Sequence, residues 1–347
     1  MRKPKPKPDL KATIGRARDA AGSARMPLEC GSIIAMKVIG DRMYMLAERC
    51  LSSSVFADRI DPERTNPNLP QIIQQKELEF GVEHRFVRGT VGAAFELADA
   101  TYLPDSVTSD ALLRIALDAA SSLASVVGVA NELRRHQDEM REASRTRLLT
   151  AAYVPRTPNL TAKVRQSLAA LRDVEIEIKK LTALFFPEKA RNEPWDSKFK
   201  PALLAKYGEA DDFHAWMNAA WEVLATVANH RHAMIHPNET KSVTIFDYEL
   251  QADGSLLAPT IEIAHQDSAL TKRDVIQFLD AQVADIAEVF EALLGYLCDL
   301  NVRTILPQFE SGVFALPNRE TQRGSHLVWR SIAKDGVSFG APASNPK

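Results

Sequence analysis

Cysteine is scarce in this chain of 347 residues, which holds only Cys30, Cys50 and Cys298. Three scattered cysteines do not make a disulfide framework, and no paired-cysteine zinc spacing occurs, so a reducing cytoplasm is the expected location. An excess of charge of one sign is missing as well. The formal net charge is -2 and the pI is near 6.5, so no global positive field draws nucleic acid, and a site for it has to be a local patch. Long apolar runs are lacking: Leu123 to Ala130 is the most apolar stretch, well short of the roughly 20 residues of a membrane span. The basic N-terminus is not followed by an apolar signal core. No membrane partner is therefore expected. The absence of a Gly-rich phosphate loop, a Gly-x-Ser-x-Gly elbow and a His-Glu-x-x-His pair removes support for P-loop NTPases, serine hydrolases and zincins.

What is present is enough apolar sequence, 45% of residues, to bury one large core or two ordinary ones. The pattern predicts an all-α fold: a helical bundle with additional N-terminal helices and a small β-hairpin before the last long helix. Residues 1–26, opening Arg2-Lys3-Pro4-Lys5-Pro6-Lys7-Pro8, read as a basic disordered arm, because alternating Lys-Pro resists collapse. Residues 27–104 read as an N-terminal helical region, with helices expected from Leu28 to about Ala57 and from Ile72 to Ala100. Residues 105–305 form the main helical domain. It contains a long helix capped near Thr108 and a strongly periodic one carrying Leu160, Val164, Leu168, Leu171, Val174 and Ile178. Residues 306–347 read as a loosely held tail. Within the main domain, Val243, Ile245, Asp253-Gly254 and Thr260 to Ile263 have the alternation and turn of a hairpin, and Thr271 to Asp274 is a capping sequence for the final helix.

The functional signal is concentrated in Ala228-Asn229-His230-Arg231-His232-Ala233-Met234-Ile235-His236-Pro237-Asn238, which holds three of the eight histidines. Phe213, Met217, Ala220, Leu224 and Val227 lead into it at helical steps, and continuing that stripe by four residues lands on Arg231. A guanidinium there needs a charge partner, a wet cleft or a second chain. Pro237 disfavours helical geometry at His236 and so puts that ring at the helix end. Arg231-His232-Ala233-Met234-Ile235-His236 resembles the signature of the HEPN superfamily, an arginine followed after four to six residues by a histidine. The resemblance implies a helical bundle that dimerises with both motifs lining one cleft. In many members it also implies metal-independent RNA cleavage, with toxin or antiviral-defence roles. Members silenced by a nucleotidyltransferase carry a tyrosine two residues after the histidine. Here that position is Asn238, so this route is not implied, although a regulatory protein partner is compatible with the resemblance.

Cleaving RNA without a metal requires a base for the ribose 2′-OH, positive charge on the phosphorane, and an acid for the leaving 5′-oxygen. Histidine serves either proton role near neutral pH, and arginine grips two phosphate oxygens at once. On this reading Arg231 and His236 are catalytic, His232 and Asn229 position the substrate, no cofactor or metal is required, RNA is the partner, and a homodimer supplies the second proton-transfer group. Three alternatives stand beside it. Arg231 and His236 could cap the helix C-terminus. His230, His232 and His236 could hold a metal, although His230 points to another helix face. A non-catalytic binding or scaffold protein could keep the same fold.

Overall fold

The computed structural model describes residues 26–145, 154–186, 212–317 and 324–333, with the single positions Gly15, Arg18, Asp19, Pro201, Leu204, Ala205 and Gly208. It corrects the all-α expectation, because the fold is mixed. β1 (Ile33–Ile39), β2 (Arg42–Ala47), β3 (Leu51–Phe56) and β4 (Ile72–Leu78) form an antiparallel sheet in that order, where the sequence pattern predicts two helices. Ile39 pairs with Arg42, so Gly40-Asp41 is a two-residue hairpin turn. Gly40 has φ 61°, the left-handed conformation that such turns need and that glycine adopts without strain. The strand alternation is hard to see in the sequence because both sheet faces carry apolar residues. Ile39, Leu46 and Leu51 are buried in the core, while Met36, Val38 and Phe56 are exposed. Two apolar faces erase the period of two and leave chance matches at three and four.

After β4 the chain crosses so close to the end of β2 that a Cβ at Gly81 would lie 2.3 Å from the Ala47 carbonyl oxygen. A helical run follows, called α1 here, made of Arg85–Val87, a wide turn at Arg88–Gly92 and Ala93–Leu97. Then come the long helices α2 (Ser109–Arg145), α3 (Leu160–Phe185), α4 (Asp212–Ile235) and α5 (Val275–Leu300). The Thr108 hydroxyl accepts from the Ala111 amide at 3.3 Å, as its cap role predicts. α3 packs on α2, α4 and α5, and α2 also meets α5. Their facing stripes, among them Leu123, Leu171, Ile178, Leu224, Phe278 and Phe290, share one core with Leu46 of the sheet.

The expected hairpin is present but larger. β5 (Ser242–Phe246) pairs with β8 (Thr260–Ala264), and β9 (Leu270–Asp274) adds a third strand. Between β5 and β8 the chain makes a small outer hairpin of β6 (Glu249–Leu250) and β7 (Leu256–Leu257). Asp274 ends β9 and caps α5, its carboxylate accepting from Gln277 N at 2.9 Å. The tail reading is also corrected. β10 (Phe309–Ala315) and β11 (Leu327–Ala333) form an antiparallel hairpin packed on α1 and α5, and the Trp329 indole donates to Leu97 O at 3.1 Å.

Most of the basic arm lies outside the described residues. Arg18, within the stretch read as a disordered arm, is buried, with its guanidinium on Asp58 at 3.0 Å and Asp61 at 2.7 Å. The β1-β2 hairpin brings Cys30 and Cys50 together as a disulfide across 20 residues of sequence, a pairing that cysteine counting did not suggest. Cys298 is free and buried. One helix among the described residues, α2, is long and apolar enough to cross a membrane by length and composition. Its Leu112, Leu113, Leu123, Val126 and Leu133 are buried in the core instead.

Candidate functional site

α4 delivers the motif. Met217, Ala220, Leu224 and Val227 are buried as the stripe predicts, but the stripe continues through His230 and Ala233, not through Arg231. On a wheel of about 100° per residue Arg231 falls on the stripe axis and His230 about 100° to one side; the buried face turns toward His230 near the helix end, where the loop between β8 and β9 covers that ring. That ring is 3% exposed. Its Nε2 donates to Ser268 O at 3.0 Å, it lies 5.7 Å from the Phe278 ring, and its Nδ1 is buried with no hydrogen-bond partner. Asn229, the preceding residue, donates from Nδ2 to the Ser268 hydroxyl, also at 3.0 Å. Asn229 and His230 therefore pin the 265–269 loop against the end of α4.

Arg231 is half-buried and has no hydrogen bond or ion pair among the described residues. His232 and His236 are exposed and share a face, their rings edge-on with centroids 5.3 Å apart. Ile235 is the last residue of α4, so His236 sits just past the helix end, and its amide donates to His232 O at 2.9 Å. Pro237 then stops the helix. The Asn238 side-chain oxygen accepts from Thr240 N, the Thr240 hydroxyl and Lys241 N, each at 3.0 Å, and this tight turn folds the chain back. It brings Lys241 Nζ to 3.0 Å from His232 Nε2. Among the described residues neither the Arg231 guanidinium nor the His236 ring bonds a helix carbonyl, so the capping alternative has no hydrogen bond behind it. The metal alternative fails geometrically because His230 is buried against Ser268 while the other two rings face out. Among the described residues no group of three metal-ligand side chains converges.

The His232 pKa is lowered first by the Lys241 ammonium, then by desolvation, then by His236, His265 and Arg231. Positive charge from Lys241 and Arg231 acting on His232 favours an anion there, and a guanidinium fork with an ammonium point charge suits a phosphodiester. Exposed histidines next to it can move protons. Of the residues the motif reading names, the structure brings His232 and His236 together; Arg231 makes no hydrogen bond or ring contact with them, and only its charge acts on His232, while Asn229 is engaged with Ser268. Lys241 and His265 escaped that reading. The Pro237-Asn238 turn chemistry is a signal for the return of Lys241. His265 arrives only through the pairing of Ser242 with Ala264, which no local pattern reveals. Compared with known protein families, curated proteins and solved structures, the chain matches none.

His230 carries a pH prediction. Burial pushes its pKa down to about 4 from an ordinary 6.5, so between those values the unfolded chain binds more protons than the folded one, and stability falls as pH falls. A shift of that size is worth about 3 kcal/mol. Urea midpoints between pH 7 and pH 4 should fall more steeply for the wild type than for His230→Gln, which keeps an amide donor for Ser268 O without a titrating ring. Parallel slopes would show that His230 is not held neutral. The same burial disqualifies His230→Ala as a neutral reference for activity, because it releases the 265–269 loop.

Proposed function

We propose that this chain is a metal-independent endoribonuclease, and that the end of α4 is its active site. The observation that carries the reading is the contact of exposed His232 with both His236 and Lys241 at the end of α4, with the Arg231 charge acting on His232. An RNA phosphodiester enters this cluster with its non-bridging oxygens on Arg231 and Lys241. The 2′-oxygen attacks phosphorus, the P–O5′ bond breaks, and the products end in a 2′,3′-cyclic phosphate and a 5′-hydroxyl. His236 takes part in proton transfer. His232, neutral beside Lys241, orients that ammonium. The HEPN resemblance of the Arg231 to His236 motif supports the same chemistry. The helices α2 to α5 pack together within a mixed fold and position the end of α4.

A homodimer in which two motifs share a cleft rests on the resemblance alone, since Arg231 lies off the buried stripe whose burial was the other argument for it. RNA as substrate favours the cytoplasm as the place of action, whereas the Cys30–Cys50 disulfide favours an oxidising compartment.

The test is RNA cleavage by the full chain in excess chelator, followed by end-group analysis. Cleavage should persist, the 3′ ends should be cyclic phosphates, and oligonucleotides carrying 2′-deoxy or 2′-O-methyl sugar at the cut should survive. Binding without cleavage would make the chain a non-catalytic RNA-binding module. A requirement for a divalent ion would move the chemistry elsewhere.

A further inference from the structure

Where the N-terminal sheet meets α2 there is a recess of about 240 Å³, to which Tyr44 of β2, Glu77 and Leu78 of β4, and Arg114, Leu117 and Asp118 of α2 contribute. It shares no residue with the end of α4. Arg114 and Asp118 stand one helical turn apart, the spacing at which opposite charges on a helix can pair with each other. They do not pair. Both are exposed at the recess, and neither side chain has a hydrogen bond or an ion pair among the described residues. The Arg114 guanidinium lies against the β1-β2 turn, where a Cβ on Gly40 would come within 3.0 Å of its Nη2. That turn is tied to α2 by the Gly40 amide, which donates to Asp110 at 2.8 Å. Tyr44 adds a phenol from the sheet. Burial first, and then the charge of Glu77, raise its pKa above the ordinary 10, while Arg42 and Arg114 act the other way, so its hydroxyl is a donor in the field of both signs. Glu77 is bonded to Ser53 and Arg42, which leaves Asp118 as the carboxylate open to a ligand. The Asp118 end is negative: its charge adds to burial in raising the Glu177 pKa against the Lys180 bond, and Glu177 Oε2 is buried with no hydrogen-bond partner. An anion alone would meet Asp118 here, and a cation alone would meet Arg114. A molecule carrying both charges answers both.

We propose that this recess binds a free α-amino acid with an aliphatic side chain. The carboxylate meets the two-pronged Arg114 guanidinium with the Tyr44 hydroxyl beside it, the ammonium meets Asp118, and the side chain rests on Leu78 and Leu117. The volume of about 240 Å³ is below the roughly 300–1,000 Å³ of pockets for drug-sized ligands, so the ligand is small. Such a ligand joins Tyr44 of the sheet to two residues of α2, and because only the folded chain offers that pair of charges, binding raises the melting midpoint. The site does not depend on the nuclease reading.

The experiment titrates the full chain with L-leucine and follows the melting midpoint together with saturation-transfer NMR of the ligand. Isocaproate, which is leucine without the ammonium, and isoamylamine, which is leucine without the carboxylate, are the comparisons. Leucine should bind saturably at millimolar concentration and raise the midpoint. Each half-ligand should bind about 10–100-fold more weakly, the usual weight of a charged hydrogen bond. Arg114→Gln should erase the preference for leucine over isoamylamine, and Asp118→Asn the preference for leucine over isocaproate. Both side chains are exposed and unpaired among the described residues, so the unliganded midpoints of the two variants should match the wild type. Arg114→Lys keeps the charge without the fork and should bind leucine with intermediate affinity. No saturable leucine binding to the wild type would overturn the proposal. Leucine binding no tighter than isocaproate would also overturn it, by reducing the recess to an anion site on Arg114. Leucine affinity unchanged in both Arg114→Gln and Asp118→Asn would place the binding elsewhere and overturn it as well.

Discussion

Arg231→Ala should lower RNA cleavage by about 10²–10³-fold, the loss seen when one preorganised contact to transition-state charge is removed. The expectation comes from what Arg231 does not do in the fold. It is half-buried at the end of α4, its charge acts on His232, and it caps no helix carbonyl and pairs with no carboxylate among the described residues. A guanidinium without a structural partner can leave without unfolding the chain, so the thermal midpoint should stay within a degree or two, well under the roughly 2–4 °C that 1 kcal/mol shifts a domain of 150–250 residues. Arg231→Lys keeps the charge and loses the two-pronged grip, and should fall between alanine and wild type. Single-turnover cleavage of labelled RNA measures the rate, and a melt on the same samples checks the fold. An alanine variant that cleaves at the wild-type rate would end the assignment of Arg231. One that melts far below wild type would mean that the residue serves the fold.

The long helices were legible because each buries one face against a shared core. The stripe in α3 from Leu160 to Phe185 repeats every three to four residues, and nearly all of it is buried. The first hundred residues were not legible for the opposite reason. Val38 and Phe56 lie exposed on one face of the sheet while Ile39 and Leu51 are buried in the core, so the alternation that marks a half-buried strand is lost. The turn residue Gly40 was the remaining clue. In β10 and β11 the apolar residues were present, with Trp329 stacked on Tyr102 at 4.7 Å, but the partner surface is far away in sequence.

The site divides the same way. Arg231, His232 and His236 are close in sequence, and helix geometry plus one proline was enough to place them at one end of α4. Lys241 needed the Asn238 turn, and His265 needed the register between β5 and β8, a contact between residues more than twenty apart. His230 shows how a helix wheel misleads near a helix end. It was set apart from the site by its angle, yet it is the residue that fastens the loop bearing His265 to the end of α4.

His236→Ala should cost about 10²–10⁴ in the cleavage rate, as removal of a general base or acid does. His236 is exposed, one position beyond the last helical residue, and its ring has no hydrogen-bond partner among the described residues, so the protein has nothing to refold around its loss. Exposure also makes the defect repairable. Imidazole added to the buffer can occupy the space that the ring leaves, and the rate of His236→Ala should rise with imidazole concentration while that of Arg231→Ala does not respond, because a neutral base cannot replace a bidentate cation. Rescue should track the fraction of imidazole in its free-base form if His236 abstracts the 2′-hydroxyl proton. Rescue that tracks imidazolium instead would make His236 the acid that protonates O5′. A His236→Ala variant cleaving as fast as wild type, with cyclic-phosphate products unchanged, would remove this histidine from the chemistry.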